Sequence, residues 1–164
     1  MGQGLSKIEI EKIVDRLAKE IGQSYPAKDS IVLVALGDNA LKLSVDLASK
    51  IRHENLLVET MHVTSSGNSV SFLKLPREFG SVGLAKGTHV IIVTDIVNEG
   101  IEIDAAAHVM EGYYAGSIEI CSMFKVKGSK EYINFLGTTI PKGVEPIGYG
   151  MGNYNDSIRF VKRR

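Results

Sequence analysis

Residues 89 to 102, HVIIVTDIVNEGIE, constrain this chain more than any other stretch. Val90, Ile91, Ile92 and Val93 form an apolar run without polar alternation, which suits a strand covered on both faces. Asp95 follows, then a turn at Asn98-Glu99-Gly100, then a segment with helical spacing. Open α/β sheets build ligand sites where a buried strand ends in a glycine turn that feeds a helix. Any chemistry is expected at that turn.

The rest of the chain repeats the pattern. Ser6 with Glu9 three places on predicts a capping box, and Ile10, Ile13, Val14, Leu17, Ala18 and Ile21 share one face of a helix over residues 6 to 22, closed by Gly22. Residues 30 to 36 read as a buried strand ending in Gly37-Asp38-Asn39. A second helix follows through Ile51, with Asp38 or Asn39 as its cap. Residues 56 to 64 and 70 to 75 read as strands flanking Ser65-Ser66-Gly67-Asn68-Ser69, a hairpin or flap with a turn longer than two residues. After the central strand come a helix over residues 101 to 115, ended by Gly116, and a strand over 117 to 124. Alternating units of this length predict an α/β fold, a mainly parallel central sheet flanked by helices. Residues 1–164 read as a single domain, because no Pro/Gly/Ser-rich linker divides them.

Charge and composition exclude several partners. Nineteen basic and nineteen acidic residues leave no net field, so no DNA partner is expected, and no aromatic-basic motif points to RNA. The basic cluster at residues 159 to 164 reads as a short solvated tail. No apolar run is long enough for a membrane span and no signal-peptide core is visible, so a cytoplasmic location and no membrane partner are expected. The single cysteine, Cys121, sits in an apolar run and reads as a buried small hydrophobe. His53, His62, His89 and His108 show no metal-ligand spacing.

Three motifs carry a resemblance. Thr94-Asp95-Ile96-Val97-Asn98-Glu99-Gly100-Ile101-Glu102 has the frame of a signature with two acidic residues, two apolar ones, then Asp-Thr-Gly and a threonine two places on. Leu36-Gly37-Asp38 stands where that pattern has Leu-Lys-Gly. Phe135-Leu136-Gly137, Ile140-Pro141 and Gly148-Tyr149-Gly150 follow the order of a C-terminal aromatic-glycine-isoleucine-proline segment and its Val-Gly-Tyr-Gly run. In these features the chain resembles the type I phosphoribosyltransferases, and among them the hypoxanthine-guanine enzymes, over nearly its whole length. The resemblance implies a flap hairpin, a small C-terminal hood, and a homodimer or higher homo-oligomer. The small-molecule ligand it implies is phosphoribosyl pyrophosphate (PRPP), a purine or a nucleotide. Mg²⁺ is implied only if the donor is bound, and otherwise no cofactor.

The polar residues within that frame differ from the family's. Asp95 keeps one acid of the pair, while Thr94 cannot supply the other, so Asp95 alone is the weak metal candidate. Asn98 replaces the aspartate to which the family assigns proton exchange with the purine. An amide hydrogen-bonds but does not titrate, so Asp95 and Asn98 are the remaining catalytic candidates. In the phosphate and ribose loop, Asn98 to Glu102, Glu99 and Glu102 occupy threonine positions. Each carboxylate repels a phosphate charge at contact by ~1 kcal/mol in water. Two readings of these glutamates stand: helix caps, or, with Asp95 and Asp104, an acidic pocket for a cation, an amine or a metal. At the pyrophosphate turn, Leu36, Gly37 and Asp38 lose the family's lysine and gain an acid.

The resemblance places Lys125 or Lys127, Asn153 and Arg159 in the base-binding hood, with Val144-Glu145 where a stacking aromatic is expected. The expected function is a purine phosphoribosyltransferase-related protein of the nucleotide-salvage lineage, with catalysis impaired or lost. The alternative is a non-enzymatic nucleotide, nucleoside or small-ligand sensor or regulator on the same fold.

Overall fold

The computed structural model describes residues 4–113 and 115–163. Its elements run β1 (Gly4–Leu5), α1 (Lys7–Ser24), β2 (Ser30–Leu36), α2 (Leu41–Lys50), β3 (Asn55–Ser66) and β4 (Ser69–Lys74). They continue with β5 (His89–Val97), α3 (Ile101–Gly112), β6 (Ser117–Val126), β7 (Phe135–Ile140), β8 (Val144–Ile147) and β9 (Ile158–Lys162). The large sheet has the order β4-β3-β2-β5-β6-β7, with only β4 antiparallel to its neighbour. A small antiparallel sheet, β1-β9-β8, joins the two ends of the chain into the hood.

Alternation along the central strands explains their unbroken apolar runs. Ile31, Leu33, Ile91 and Val93 point to the layer containing α1 and α2, while Val32, Val34, Val90 and Ile92 point to the layer containing α3. Both faces are therefore covered, and a polar residue on either side would be buried without a partner.

Local physics moves several predicted boundaries. The capping box at Ser6 and Glu9 is present. Helix α1 runs through Gly22 to Ser24 and stops at Tyr25 (φ −132°, ψ 145°), because the residue before Pro26 is pushed out of helical geometry. Neither Asp38 nor Asn39 caps α2: both lie in a 3-10 turn, Asp38–Ala40, and Ala40 holds the cap position without a side-chain bond. In the flap, Ser65, Ser66 and Ser69 join the strands, which reduces the turn to Gly67-Asn68. Helix α3 ends at Gly112, short of the predicted Ala115. Gly116 instead permits a close approach between loops, since a Cβ there would stand 2.1 Å from the Gly87 carbonyl oxygen. The described basic residues of the cluster, Arg159, Lys162 and Arg163, are solvent-exposed as expected, but the segment is not a free tail, because residues 158 to 162 form β9.

The hood is fixed to the large domain layer through Tyr149. This residue adopts φ 54° between Gly148 and Gly150, an unusual conformation for a bulky side chain. Its hydroxyl donates to Asp46 of α2, and Lys42 lies 4.9 Å from its ring centroid. Cys121 is fully buried as expected, and burial raises its thiol pKa to about 12.

Candidate functional site

The sheet order makes β2 and β5 neighbours from which the chain proceeds in opposite directions, so their C-terminal turns flank the switch point. Asn39, from the turn after β2, donates through Nδ2 to Asp95 Oδ2 at 3.2 Å. Thr94 Oγ1 donates to Asp95 Oδ1 at 3.4 Å. Burial raises the Asp95 pKa above the ordinary carboxylate value, opposed by the hydrogen bonds from Asn39, the backbone and Thr94. Asp95 is thus a positioned acceptor between two turns, suited to ligand hydroxyls.

The turn after β5 has the geometry of an anion cradle but not its charge. Gly100 adopts φ 75° at the cap of α3, with no side-chain cap, and the Asp104 amide donates to the Gly100 carbonyl at 2.9 Å. The amides before Asp104 in that first turn lack intrahelical partners and would ordinarily attract an anion. Neither Glu99 nor Glu102 caps the helix; Glu102 Oε1 instead accepts from Ser65 Oγ of the flap at 3.0 Å. A third carboxylate approaches from the loop between β6 and β7. A Cβ added to Gly100 would lie 2.6 Å from Glu131 Oε2. That loop is anchored by Ser129 Oγ, which donates to the Asn98 carbonyl at 2.6 Å, and by Lys125 Nζ, which donates to the Glu131 carbonyl.

The turn after β2 is also committed to the protein. The Gly37 amide donates to the Met61 carbonyl at 2.8 Å, and Asp38 Oδ1 lies 3.2 Å from His62 Nε2. The Gly37 amide is therefore already bonded within the protein.

Two cavities meet at this edge. A cleft of about 780 Å³ lies under the hood, lined by Asn39, Asp95, Asn98, Lys142, Glu145 and Arg163 among others. A neighbouring cavity of about 470 Å³ lies over the cradle, lined by Leu36, Ser65, Asn98, Glu99, Glu102 and Arg163 among others. The hood candidates from the sequence do not line either one. Lys125 lies in β6 with its Nζ committed to the Glu131 carbonyl, Lys127 is exposed in the turn that follows the strand, and Arg159 sits in β9 opposite Gly4 and Ile147. Asn153 shapes its own loop, accepting from the Asn155 and Gly150 amides at 3.1 Å and 2.8 Å. Sequence reasoning missed Glu131, Lys142 and Arg163. No motif marks the first two, and Arg163 was hidden in the basic cluster.

A metal ion held by the protein does not fit this donor set. Among the described residues no three His, Cys, Asp or Glu side chains converge on a metal-sized site. Asp95 offers one carboxylate, already bonded by Asn39 and Thr94.

A mainly parallel sheet with its cleft at the switch point, under a small antiparallel hood, defines an open α/β class of protein. The comparisons specify it further. The family model for the phosphoribosyl transferase domain matches residues 5–147, and the chain belongs to that family. The hypoxanthine phosphoribosyltransferase of Haemophilus influenzae is 24% identical over 157 residues, covering 90% of this chain and 84% of the relative. In fold the chain is a type I phosphoribosyltransferase. The structure of a hypoxanthine-guanine phosphoribosyltransferase from Bacillus anthracis superposes with a TM-score of 0.84 at 18% identity, covering 98% of both chains. The L. donovani hypoxanthine-guanine phosphoribosyltransferase superposes with a TM-score of 0.83 at 19% identity, covering 98% of this chain and 96% of the other.

Proposed function

We propose that this protein is a hypoxanthine-guanine-like phosphoribosyltransferase relative that binds a purine nucleoside or nucleotide in the hood cleft, with phosphoribosyl transfer impaired or lost. The observation that carries this reading is the carboxylate environment of Gly100. Glu99 and Glu102 line the cradle cavity, and Glu131 lies against the glycine itself. A dianionic phosphate brought there meets repulsion where a transferase needs attraction. Asn98 adds a second loss, since an amide cannot exchange the purine proton, a role worth ~10²–10⁴ in rate.

What persists suits recognition. Asp95 and Asn39 present an acceptor and a donor at the cleft floor, and the cleft is large enough for a nucleoside. A mutant of the Trypanosoma cruzi hypoxanthine phosphoribosyltransferase, similar in fold, is complexed with the product IMP. By analogy a purine ligand is the first choice here. Mg²⁺ enters this proposal only as an ion carried in by the donor's pyrophosphate. We place the protein in the cytoplasm as a homodimer or higher homo-oligomer.

A non-enzymatic sensor or regulator is the second reading, favoured by the Ser65–Glu102 hydrogen bond. It links the flap's position to the state of the cradle.

The test is product formation from PRPP, Mg²⁺ and hypoxanthine or guanine, followed by chromatography of IMP or GMP. Turnover at least about a thousandfold below the ordinary ~10 s⁻¹ is expected. Turnover in the ordinary range would refute the impaired-site reading.

A further inference from the structure

We propose that Arg163 grips the phosphate of a phosphorylated ligand, so that phosphate recognition has moved from the start of α3 to the hood side of the cleft. The ligand class is an organic phosphate, and the proposal rests on the purine-nucleotide reading of that cleft.

Arg163 lines both cavities and forms part of the wall between them. Around the cradle, where Glu99 and Glu102 face the space, it is the one cation among the described lining residues. On the other side it shares the larger cleft with Lys142. At the start of α3 the free amides are faced by Glu99 and Glu102, and at the turn after β2 the Gly37 amide is bonded to Met61, while two cations, Lys142 and Arg163, stand on the hood side.

The backbone of Arg163 is fixed and its side chain is available. Its amide donates to the Gly143 carbonyl at 2.8 Å, continuing the β8–β9 pairing beyond Val144 and Lys162. Its Nε lies 3.7 Å from Glu145 Oε2, well beyond the ~2.7–2.9 Å of a charge-assisted hydrogen bond. Both side chains are more than half exposed, so exchanging that loose partner for a phosphate costs little. A guanidinium presents paired donors that match phosphate oxygens, which an ammonium does not. Arg159, the basic residue retained at the family position, lines neither cavity and does not compete for this role.

The experiment compares IMP with inosine by calorimetric titration of the full chain, as wild type, Arg163→Gln and Arg163→Lys. Inosine is the same ligand without phosphate, so the affinity ratio isolates phosphate recognition from general damage to the cleft. The wild type should prefer IMP by about ten- to a hundredfold, the range of hydrogen bonds to charged groups. Arg163→Gln should bring the ratio close to one, and Arg163→Lys should retain part of it. An IMP preference unchanged in Arg163→Gln, or absent from the wild type, overturns the proposal.

If neither IMP nor inosine binds, the purine reading fails by itself, and inorganic pyrophosphate then decides the role of Arg163. Pyrophosphate binding that weakens in Arg163→Gln supports the assignment. No binding, or equal binding by both proteins, overturns it.

Discussion

Ser65 Oγ donates to Glu102 Oε1 at 3.0 Å across 37 residues of sequence, tying the end of β3 to the first turn of α3. The bond spends a carboxylate that repels phosphate on holding the flap. Ser65→Ala should therefore release the hairpin locally while leaving the core intact. Hydrogen exchange at residues 65 to 70 is expected to rise several-fold, with global stability changed by less than about 0.5 kcal/mol. Equal exchange in both proteins would show that the bond does not restrain the flap.

Asp95 has its folded-state pKa raised by burial. In the window from the ordinary value of 3.8 up to that raised value, the folded state holds more protons than the unfolded state. Stability therefore falls as pH rises through this window, and the penalty is complete above it. Asp95→Asn removes the charge but keeps an oxygen for Asn39. The variant should gain stability relative to wild type at about pH 7, and the gain should shrink toward about pH 4. Urea denaturation at the two pH values measures this, and a gain that grows on acidification would contradict it.

Glu59 is 8% exposed in β3, and Arg77, just beyond β4, donates to its Oε1 through Nε at 2.8 Å and Nη2 at 2.5 Å. Arg77 is itself largely exposed, so the pair is worth less than a fully buried one. Arg77→Ala strands a nearly buried carboxylate and should cost about 1–3 kcal/mol. Glu59→Gln with Arg77→Ala should cost less than the sum of the two single changes. Additive costs in denaturant unfolding would show that the two residues are not coupled.

The Cys121 thiol, raised to about 12 by complete burial, is almost wholly protonated at neutral pH. Alkylation by iodoacetamide should be absent from the folded protein and should follow the unfolding transition in urea. Labelling without denaturant would show that the β5–β6 region opens.

The strands and the helix-bearing turns were legible because burial on both faces leaves an apolar run and glycine turns have few alternatives. Residues 90 to 93 read correctly as covered on both sides, and the Ser6–Glu9 capping box read correctly because it is local. Boundaries failed where a neighbour overrode propensity. Pro26, not Gly22, stops α1, and the flap strands absorb three serines that resemble turn residues. The candidate site was legible at Asp95, Asn98 and the two glutamates, which lie within one motif. Glu131, Lys142 and Arg163 come from distant segments, and only the pairing of β5 with β6 and of β8 with β9 brings them to the edge. No short-range pattern encodes such a meeting.

The central claim is that protein carboxylates close the cradle to the donor's phosphate. Calorimetric titration with PRPP, with and without Mg²⁺, tests it on the wild type and on the combined variant Glu99→Thr, Glu102→Thr. The account predicts weak or undetectable Mg²⁺-dependent binding by the wild type and a gain of at least about tenfold in the variant, from removing two repelling charges. Tight Mg²⁺-dependent binding by the wild type, unchanged in the variant, would contradict it.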